Sequence, residues 1–340
     1  MKPRDLVLSR VAVSAGFAAM LAGCNSPERP MTTLAPKSDL ADWIYRLFLE
    51  VTAWDALIFT IVVVAFILAV FFFSTRAGEA GPASSASSDL GLEVAWTVGP
   101  ALVLLMISIP TIRTIFRSQP PLAPHGSMVI NVVAHQWWWE FHYADSGIAT
   151  ANELHIPTGQ PIRLELNSGD VIHSFWVPQL GGKRDVVPGQ TNELTFVANA
   201  PGMFPGQCAE FCGLSHANMR FRVFVETPEQ FALWASAQKS APAANPAAEQ
   251  YAAAGAKIFA NSPCTACHTI EGVSKGYVGP NLTHVGSRTT IAAGIMKNTP
   301  DNLAKWIADP AALKPGAEMP PLGLRGKPLA DLVAYLESLK

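Results

Sequence analysis

Charge disappears from this chain twice over lengths that matter. Residues 56–73 run 18 positions without Asp, Glu, Lys or Arg, and residues 94–112 run 19, bounded by Glu93 and Arg113. At 1.5 Å per helical residue each run covers roughly 27–29 Å, close to a bilayer's hydrocarbon core. Two membrane-spanning helices are therefore expected, over about 54–74 and 93–115. Pro100 and Pro110 fall in the second, where neighbouring helices can satisfy the carbonyls they free. A pair of buried core helices is the alternative reading. From 128 to about 226 the pattern changes to short runs rich in Val, Ile, Phe and Trp, at 128–143, 162–166, 193–197 and 220–225. Gly, Pro, Asn and Asp turns separate them, which predicts a small antiparallel sandwich or barrel. Apolar spacing of three and four returns at 250–259, 302–308 and 329–339, so the C-terminal segment is expected to be helical.

The first 23 residues have the form of an export signal: Lys2, Arg4 and Arg10 precede an apolar stretch at 11–22. The stretch ends in Leu21-Ala22-Gly23-Cys24, which resembles the bacterial lipoprotein signal in which the cysteine is lipidated. An ordinary signal peptide with an incidental cysteine is the plainer reading. Arg76 is the one basic residue of the 74–92 loop while Arg113 and Arg117 flank the far end, so the positive-inside rule sets no orientation. Export of residue 24 sets it: everything after about 115 is expected on the periplasmic face of a bacterial inner membrane. The expected domains are a signal at 1–23, a membrane hairpin at 24–117, a β domain at 118–235, an Ala/Pro/Ser linker at 236–248 and a helical domain at 249–340.

Composition agrees. Of 340 residues 49% are hydrophobic and 15% charged, which excludes a disordered chain and disfavours a wholly soluble one. The net charge is −2 and no nucleic-acid motif is present, so nucleic acid is not an expected partner. Five cysteines, odd in number and clustered, do not make a disulfide framework.

Four of the five cysteines lie in two dense constellations. In the first, Cys208-Ala-Glu-Phe-Cys212-Gly-Leu-Ser-His216-Ala-Asn-Met219 places two thiols, an imidazole and a thioether within twelve residues, on a loop between β segments. Soft sulfur and nitrogen ligands select copper or zinc. Zinc would be content with two cysteines and two histidines, leaving Met219 as packing, whereas a thioether ligand is a copper preference. His173, in Val171-Ile172-His173-Ser174-Phe175-Trp176, supplies a second imidazole from an earlier strand; taken alone it reads as a core histidine.

This C-x3-C-x3-H-x2-M loop with an upstream H-S-F-W, on a β domain behind two spans, resembles subunit II of cytochrome c oxidase. The Gln136-Trp137-Trp138-Trp139 run and the Asp185-Val186-Val187-Pro188-Gly189 turn match that family too, over roughly residues 40–235. The resemblance implies a cupredoxin-like fold with a dinuclear copper centre. Cys208 and Cys212 would bridge the ions, His173 and His216 would each cap one, and Met219 and the carbonyl of Glu210 would be the weaker ligands. It further implies a magnesium ion shared with subunit I through the Glu210 carboxylate, electron admission at Trp137, and a proton-path mouth at Glu93. Trp137 also reads as one of three tryptophans packing a strand face, and Glu93 as an acid marking a helix end. Gln190 and Trp138 stand where the family commonly has Arg and Tyr.

The second constellation is Cys264-Thr-Ala-Cys267-His268, the c-type haem attachment pattern, in which both thiols bind the haem covalently and His268 ligates its iron. An electron-transfer haem takes a second axial ligand, often methionine. Met319, in Gly316-Ala-Glu-Met319-Pro320, is the candidate, and Met296 the competitor. Gly279-Pro280-Asn281-Leu282 resembles the cytochrome c loop whose proline carbonyl accepts the His268 ring proton, and 249–340 as a whole resembles a class I cytochrome c domain. Residues 117–238 carry 10 acids and 6 bases, net −4; residues 249–340 carry 7 and 9, net +2. Opposite charges on tethered partners favour transient docking by steering.

The expected whole is a multidomain membrane protein: a two-helix transmembrane hairpin, an all-β cupredoxin-like domain and an all-α cytochrome c domain. By resemblance it is the electron-receiving subunit of a caa-type oxidase, with subunit I, probable subunit III and an external cytochrome c or other donor as partners. Quinol-oxidase subunits lack the copper ligands, and nitrous oxide reductase needs a propeller that 340 residues cannot hold. A membrane-anchored redox shuttle or copper-carrying lipoprotein without an oxidase remains the rival of another class.

Overall fold

The apolar runs, the alternating runs and the helical segment each become a separate part of the molecule. The computed structural model describes residues 31–73, 89–119, 124–241 and 249–340; the signal segment with Cys24 lies outside them. Two long helices, α1 (Asp39–Phe73) and α2 (Leu90–Ser118), pack against each other and carry the two uncharged runs. Asp89 caps α2, its carboxylate accepting from Gly91 N at 2.9 Å and Leu92 N at 3.3 Å, and the helix continues through Pro100 and Pro110.

α1 starts well ahead of its apolar run because its first turn belongs to the β domain. Ser38 Oγ accepts from Ala41 N at 3.0 Å and donates to the Leu180 carbonyl at 2.6 Å, while Asp39 accepts from Val197 N at 2.8 Å. Leu40 is buried against Gly181, where a Cβ would stand 3.0 Å from its Cδ2. Capping and packing together fasten the hairpin to the domain it carries.

That domain has ten strands: β1 (Met128–His135), β2 (Trp138–Tyr143), β3 (Ala149–Ala151), β4 (Glu153–Pro157), β5 (Pro161–Ser168), β6 (His173–Trp176), β7 (Arg184–Val186), β8 (Asn192–Val197), β9 (Gly202–Cys208) and β10 (Arg220–Glu226). They form two five-stranded sheets, ordered β3-β2-β1-β5-β8 and β4-β10-β9-β6-β7. Contrary to the antiparallel pairing expected from the turns, neither is wholly antiparallel: β1 pairs β5, and β10 pairs β4, in parallel. Parallel pairs need a crossover, and a crossover leaves no mark in a run of strand-and-turn signals. The core lies between the sheets. Ile130, Val132 and Ala134 from β1 and Ile162, Leu164 and Leu166 from β5 are fully buried, each alternating with half-buried positions. Trp139, Phe175 and Phe221 interlock there, Phe175 stacked on Phe221 at 4.6 Å and Trp139 edge-on to Phe175 at 5.4 Å.

After β10 the helix α3 (Pro228–Lys239) opens with a Thr227/Gln230 capping box and rests on the domain through Trp234, stacked on His155 at 4.3 Å. It absorbs residues 236–239, which the composition assigned to the linker. The C-terminal domain holds α4 (Glu249–Ala260), α5 (Cys264–Cys267), α6 (Pro300–Ala308), α7 (Pro310–Leu313) and α8 (Gly326–Ser338). It is not purely helical: β11 (Thr269–Ile270) pairs β12 (Ser274–Lys275), and β13 (Thr290–Ile291) pairs β14 (Met296–Lys297). Where α4 crosses α8, a Cβ on Gly255 would sit 2.1 Å from the Asp331 carbonyl, so only glycine lets the helices approach.

Candidate metal centre and haem cavity

The Cys208–Met219 loop leaves the end of β9 and returns at the start of β10, and Cys208 N donates to the Met219 carbonyl at 2.9 Å across its neck. His173 opens β6, the strand beside β9. This brings all the predicted copper residues together. The two sulfurs of Cys208 and Cys212 are 3.8 Å apart. His173 Nδ1 lies 3.7 Å from Cys208 Sγ, His216 Nδ1 3.5 Å from Cys212 Sγ, Met219 Sδ 3.8 Å from Cys212 Sγ, and the Glu210 carbonyl 3.2 Å from Cys208 Sγ. Both thiols, His173 and Met219 are buried; the Glu210 residue itself is exposed.

The donor set fits a soft metal site of the copper type that the resemblance implies, being sulfur and imidazole in a dry pocket. Ligand atoms of His173, Cys208 and Cys212 lie within 4.8 Å of one another, and His216 falls outside that group. One tetrahedral zinc ion, with bonds of about 2.0–2.3 Å and hence ligand atoms about 3.3–3.8 Å apart, would need His216 drawn in to join the other three. Without metal the thiols compete for charge. The hydrogen bond with Cys212 draws the Cys208 thiol down to about 3, and the same bond, with burial, pushes Cys212 up.

Asp170, which the sequence reading did not single out, stands behind His173: Oδ1 lies 2.7 Å from Nε2, and Oδ2 accepts from Gln136 N at 2.5 Å. Burial opposes the imidazolium, but the bonds to Asp170 and Cys208 outweigh it and raise the His173 pKa. An Asp in a Ser-Gly-Asp turn looks like ordinary turn chemistry, so no signal marked it.

The three tryptophans part company. Trp139 is core, and Trp138 stacks on His135 at 4.3 Å. Trp137 does not pack a strand face; it lies in the turn that splits the expected 128–143 strand into β1 and β2. Its Nε1 donates to the Cys212 carbonyl at 2.9 Å, joined there by Gln136 Nε2 at 2.6 Å. Gly213, at φ +109°, makes room for the ring: a Cβ there would stand 3.1 Å from Trp137 Cζ2.

The haem-attachment residues line a cavity of about 240 Å³ that also includes Met319 but not Met296, which sits on β14 and packs into the domain core. Cys264 and Cys267 stand three apart on α5, on one helix face. His268 Nδ1 donates to the Pro280 carbonyl at 2.8 Å, and burial lowers its pKa, favouring the neutral ring that iron ligation needs. Gly279 is required beside it, since a Cβ would reach 2.6 Å from His268 Cε1. Arg288, another residue the sequence reading missed, lines the cavity, bonds the Asn281 carbonyl and is brought down to about 10 by burial, against the charge of Glu153. The cavity is closed from the β domain by Gln136, Trp137 and Trp138, so Trp137 borders both constellations. Glu93 belongs to neither; it lies in the first turn of α2, where its carbonyl accepts from Thr97 Oγ1 at 2.8 Å.

Comparison with known proteins covers the same three parts. The family described as "Cytochrome C oxidase subunit II, transmembrane domain" matches residues 38–114, "Cytochrome C oxidase subunit II, periplasmic domain" residues 146–226, and "Cytochrome c" residues 252–340. Cytochrome c oxidase subunit 2 of Alkalihalophilus pseudofirmus is 35% identical over 325 residues, 94% of each chain. That of Bacillus subtilis is 34% identical over 322 residues, 88% of each chain. Among solved structures, the periplasmic domain of subunit II of cytochrome oxidase from Bradyrhizobium japonicum aligns at 33% identity and TM-score 0.34, covering 35% of this chain and 97% of that one.

Proposed function

The chain belongs to the cytochrome c oxidase subunit II family, in the form that carries a C-terminal cytochrome c domain, and from that premise we propose how its residues divide the work. It is a membrane-anchored electron-transfer subunit of a haem–copper oxidase, with two transmembrane helices and a periplasmic domain. Cys208 and Cys212 would bridge two copper ions, His173 and His216 would hold one each, and Met219 and the Glu210 carbonyl would be the weak outer ligands. The elongated donor set, with one imidazole beside each sulfur, supports two ions over one. Cys264 and Cys267 would tether the haem, and His268 and Met319, which line the same cavity, would hold its iron.

When bound, the copper pair and the haem supply one-electron carriers whose bond lengths change little with oxidation state. The chain's residues do the positioning. Trp137 bridges the haem cavity and the copper loop, in contact with both and nine-tenths buried, and this is the observation that carries the reading. Asp170 holds His173 facing Cys208, and the Pro280 carbonyl holds His268. With haem and copper bound, Trp137 would stand between the two carriers, and the copper domain would hand electrons on to subunit I. The exposed Glu210 carboxylate reaches a magnesium ion shared with subunit I, Glu93 marks the mouth of a proton path there, subunit III completes the core, and Cys24 is the lipid anchor. The helix α3 extends the copper domain to Lys239.

Metal and haem analysis of the purified chain tests the assignment. It should hold two coppers and one covalent haem, and Cys208→Ser should lose copper while keeping the haem. One zinc, a single copper, or a cystine joining 208 and 212 contradicts it.

A further inference from the structure

The haem domain meets the copper domain through charges buried on both sides. Glu153, at the start of β4 in the copper domain, is only 3% exposed. Every proton its Oε1 receives comes from the haem domain: from Thr289 N at 2.9 Å, Thr289 Oγ1 at 2.6 Å, Thr290 N at 2.9 Å and Thr290 Oγ1 at 3.0 Å. Arg222 of the copper domain donates to the same Thr289 hydroxyl at 2.9 Å. Across the haem cavity the relation is reversed. Lys314 of the haem domain, 4% exposed, reaches over and donates to the Trp137 carbonyl. Beside it Ser215, in the copper loop, donates to the Pro315 carbonyl at 2.5 Å. Gly316, at φ +82°, lies flat on the indole of Trp137, where a Cβ would stand 2.6 Å from Cη2.

A buried carboxylate is tolerated only when its hydrogen bonds are met, and Glu153 finds four donors on the opposite domain, while Lys314, which burial brings down to about 7, finds one acceptor there. Opposite net charges alone would give loose, shifting encounters; four short donors converging on one buried oxygen specify a single pose.

We propose that Glu153 and Lys314 are positioning residues that form a reciprocal latch, holding the haem domain seated over Trp137 through turnover. It rests on the electron path above in that the seated pose is the one in which Trp137 borders both sites. The external donor then meets the haem domain, because Trp137 is already covered.

The test uses the intact oxidase with a protease site placed in the 242–248 linker. After cleavage, gel filtration follows whether haem absorbance stays with the copper-bearing membrane complex. The wild-type haem domain stays bound. Glu153→Ala and Lys314→Met release it at least about tenfold faster, the loss expected for hydrogen bonds to a charged group, and Glu153→Gln, which keeps one acceptor oxygen, falls between. Hydrogen exchange in the uncut wild type provides a reading that needs no variant: the Thr289 and Thr290 amides exchange slowly. Equal release from wild type and variants, or exchange of those amides at open-loop rates, overturns the latch. Transfer from haem to copper in the uncut enzyme is read separately; its absence would end the electron path and leave the latch standing.

Discussion

A metal ligand that must keep one orientation needs a partner behind it, and for His173 that partner is Asp170. The carboxylate fixes Nε2 at 2.7 Å and is itself held by Gln136 N and Val171 N, so Nδ1 is left to face Cys208. Burial works against the Asp170 charge, but these bonds outweigh it and hold its carboxyl below the usual range. Asp170→Asn should weaken copper binding about 10–100-fold while leaving the haem spectrum unchanged, measured by competition with a chelator. Unchanged affinity would show that the ring is positioned by packing alone. Ligand residues such as Cys208, Cys212 and His268 are legible in the sequence because their chemistry depends on spacing along the chain. Asp170 and Arg288 are not, because each acts through a neighbour that only folding supplies.

Among the elements, the copper loop inherits its precision from the pair β9–β10. Gly206 of β9 faces Phe221 of β10, whose ring would lie 2.3–2.7 Å from a Cβ at that position. Phe221 in turn stacks on Phe175 of β6, two residues from His173. Gly206→Ala should therefore push Phe221 out of its stack, costing about 1–3 kcal/mol, and should loosen the loop that both strands carry. Thermal unfolding together with copper content checks this, and a variant as stable and as copper-replete as wild type contradicts it. The Val- and Ile-rich runs bounded by turn residues announced β1 and β5 correctly. Their parallel pairing was invisible, since it is set by which strands the crossovers bring together. The run at 128–143 misled for a related reason: its tryptophans look continuous in hydrophobicity, yet Gln136 and Trp137 are the turn.

At the scale of the molecule two of three separately readable parts, the β domain and the haem domain, meet at one indole, while the helical hairpin is fastened to the β domain elsewhere, at Leu180 and Val197. The domain order was legible from hydropathy, strand spacing and the two cysteine motifs, because each part folds around its own pattern. The way the haem domain is seated was not. The charge counts favoured transient encounters, whereas Glu153, Lys314 and Gly316 make a specific surface out of residues scattered over 160 positions of sequence. The consequence is that Trp137 lies where the haem cavity adjoins the copper loop.

The most direct test is a single-turnover measurement on the intact oxidase: reduce the haem rapidly, then follow haem oxidation and copper reduction together. Wild type should show matched, one-to-one transfer, and Trp137→Phe, which keeps a ring but loses the Nε1 bond to Cys212, should slow it at least about tenfold with both coppers and the haem retained. Transfer at the wild-type rate in that variant would contradict the account.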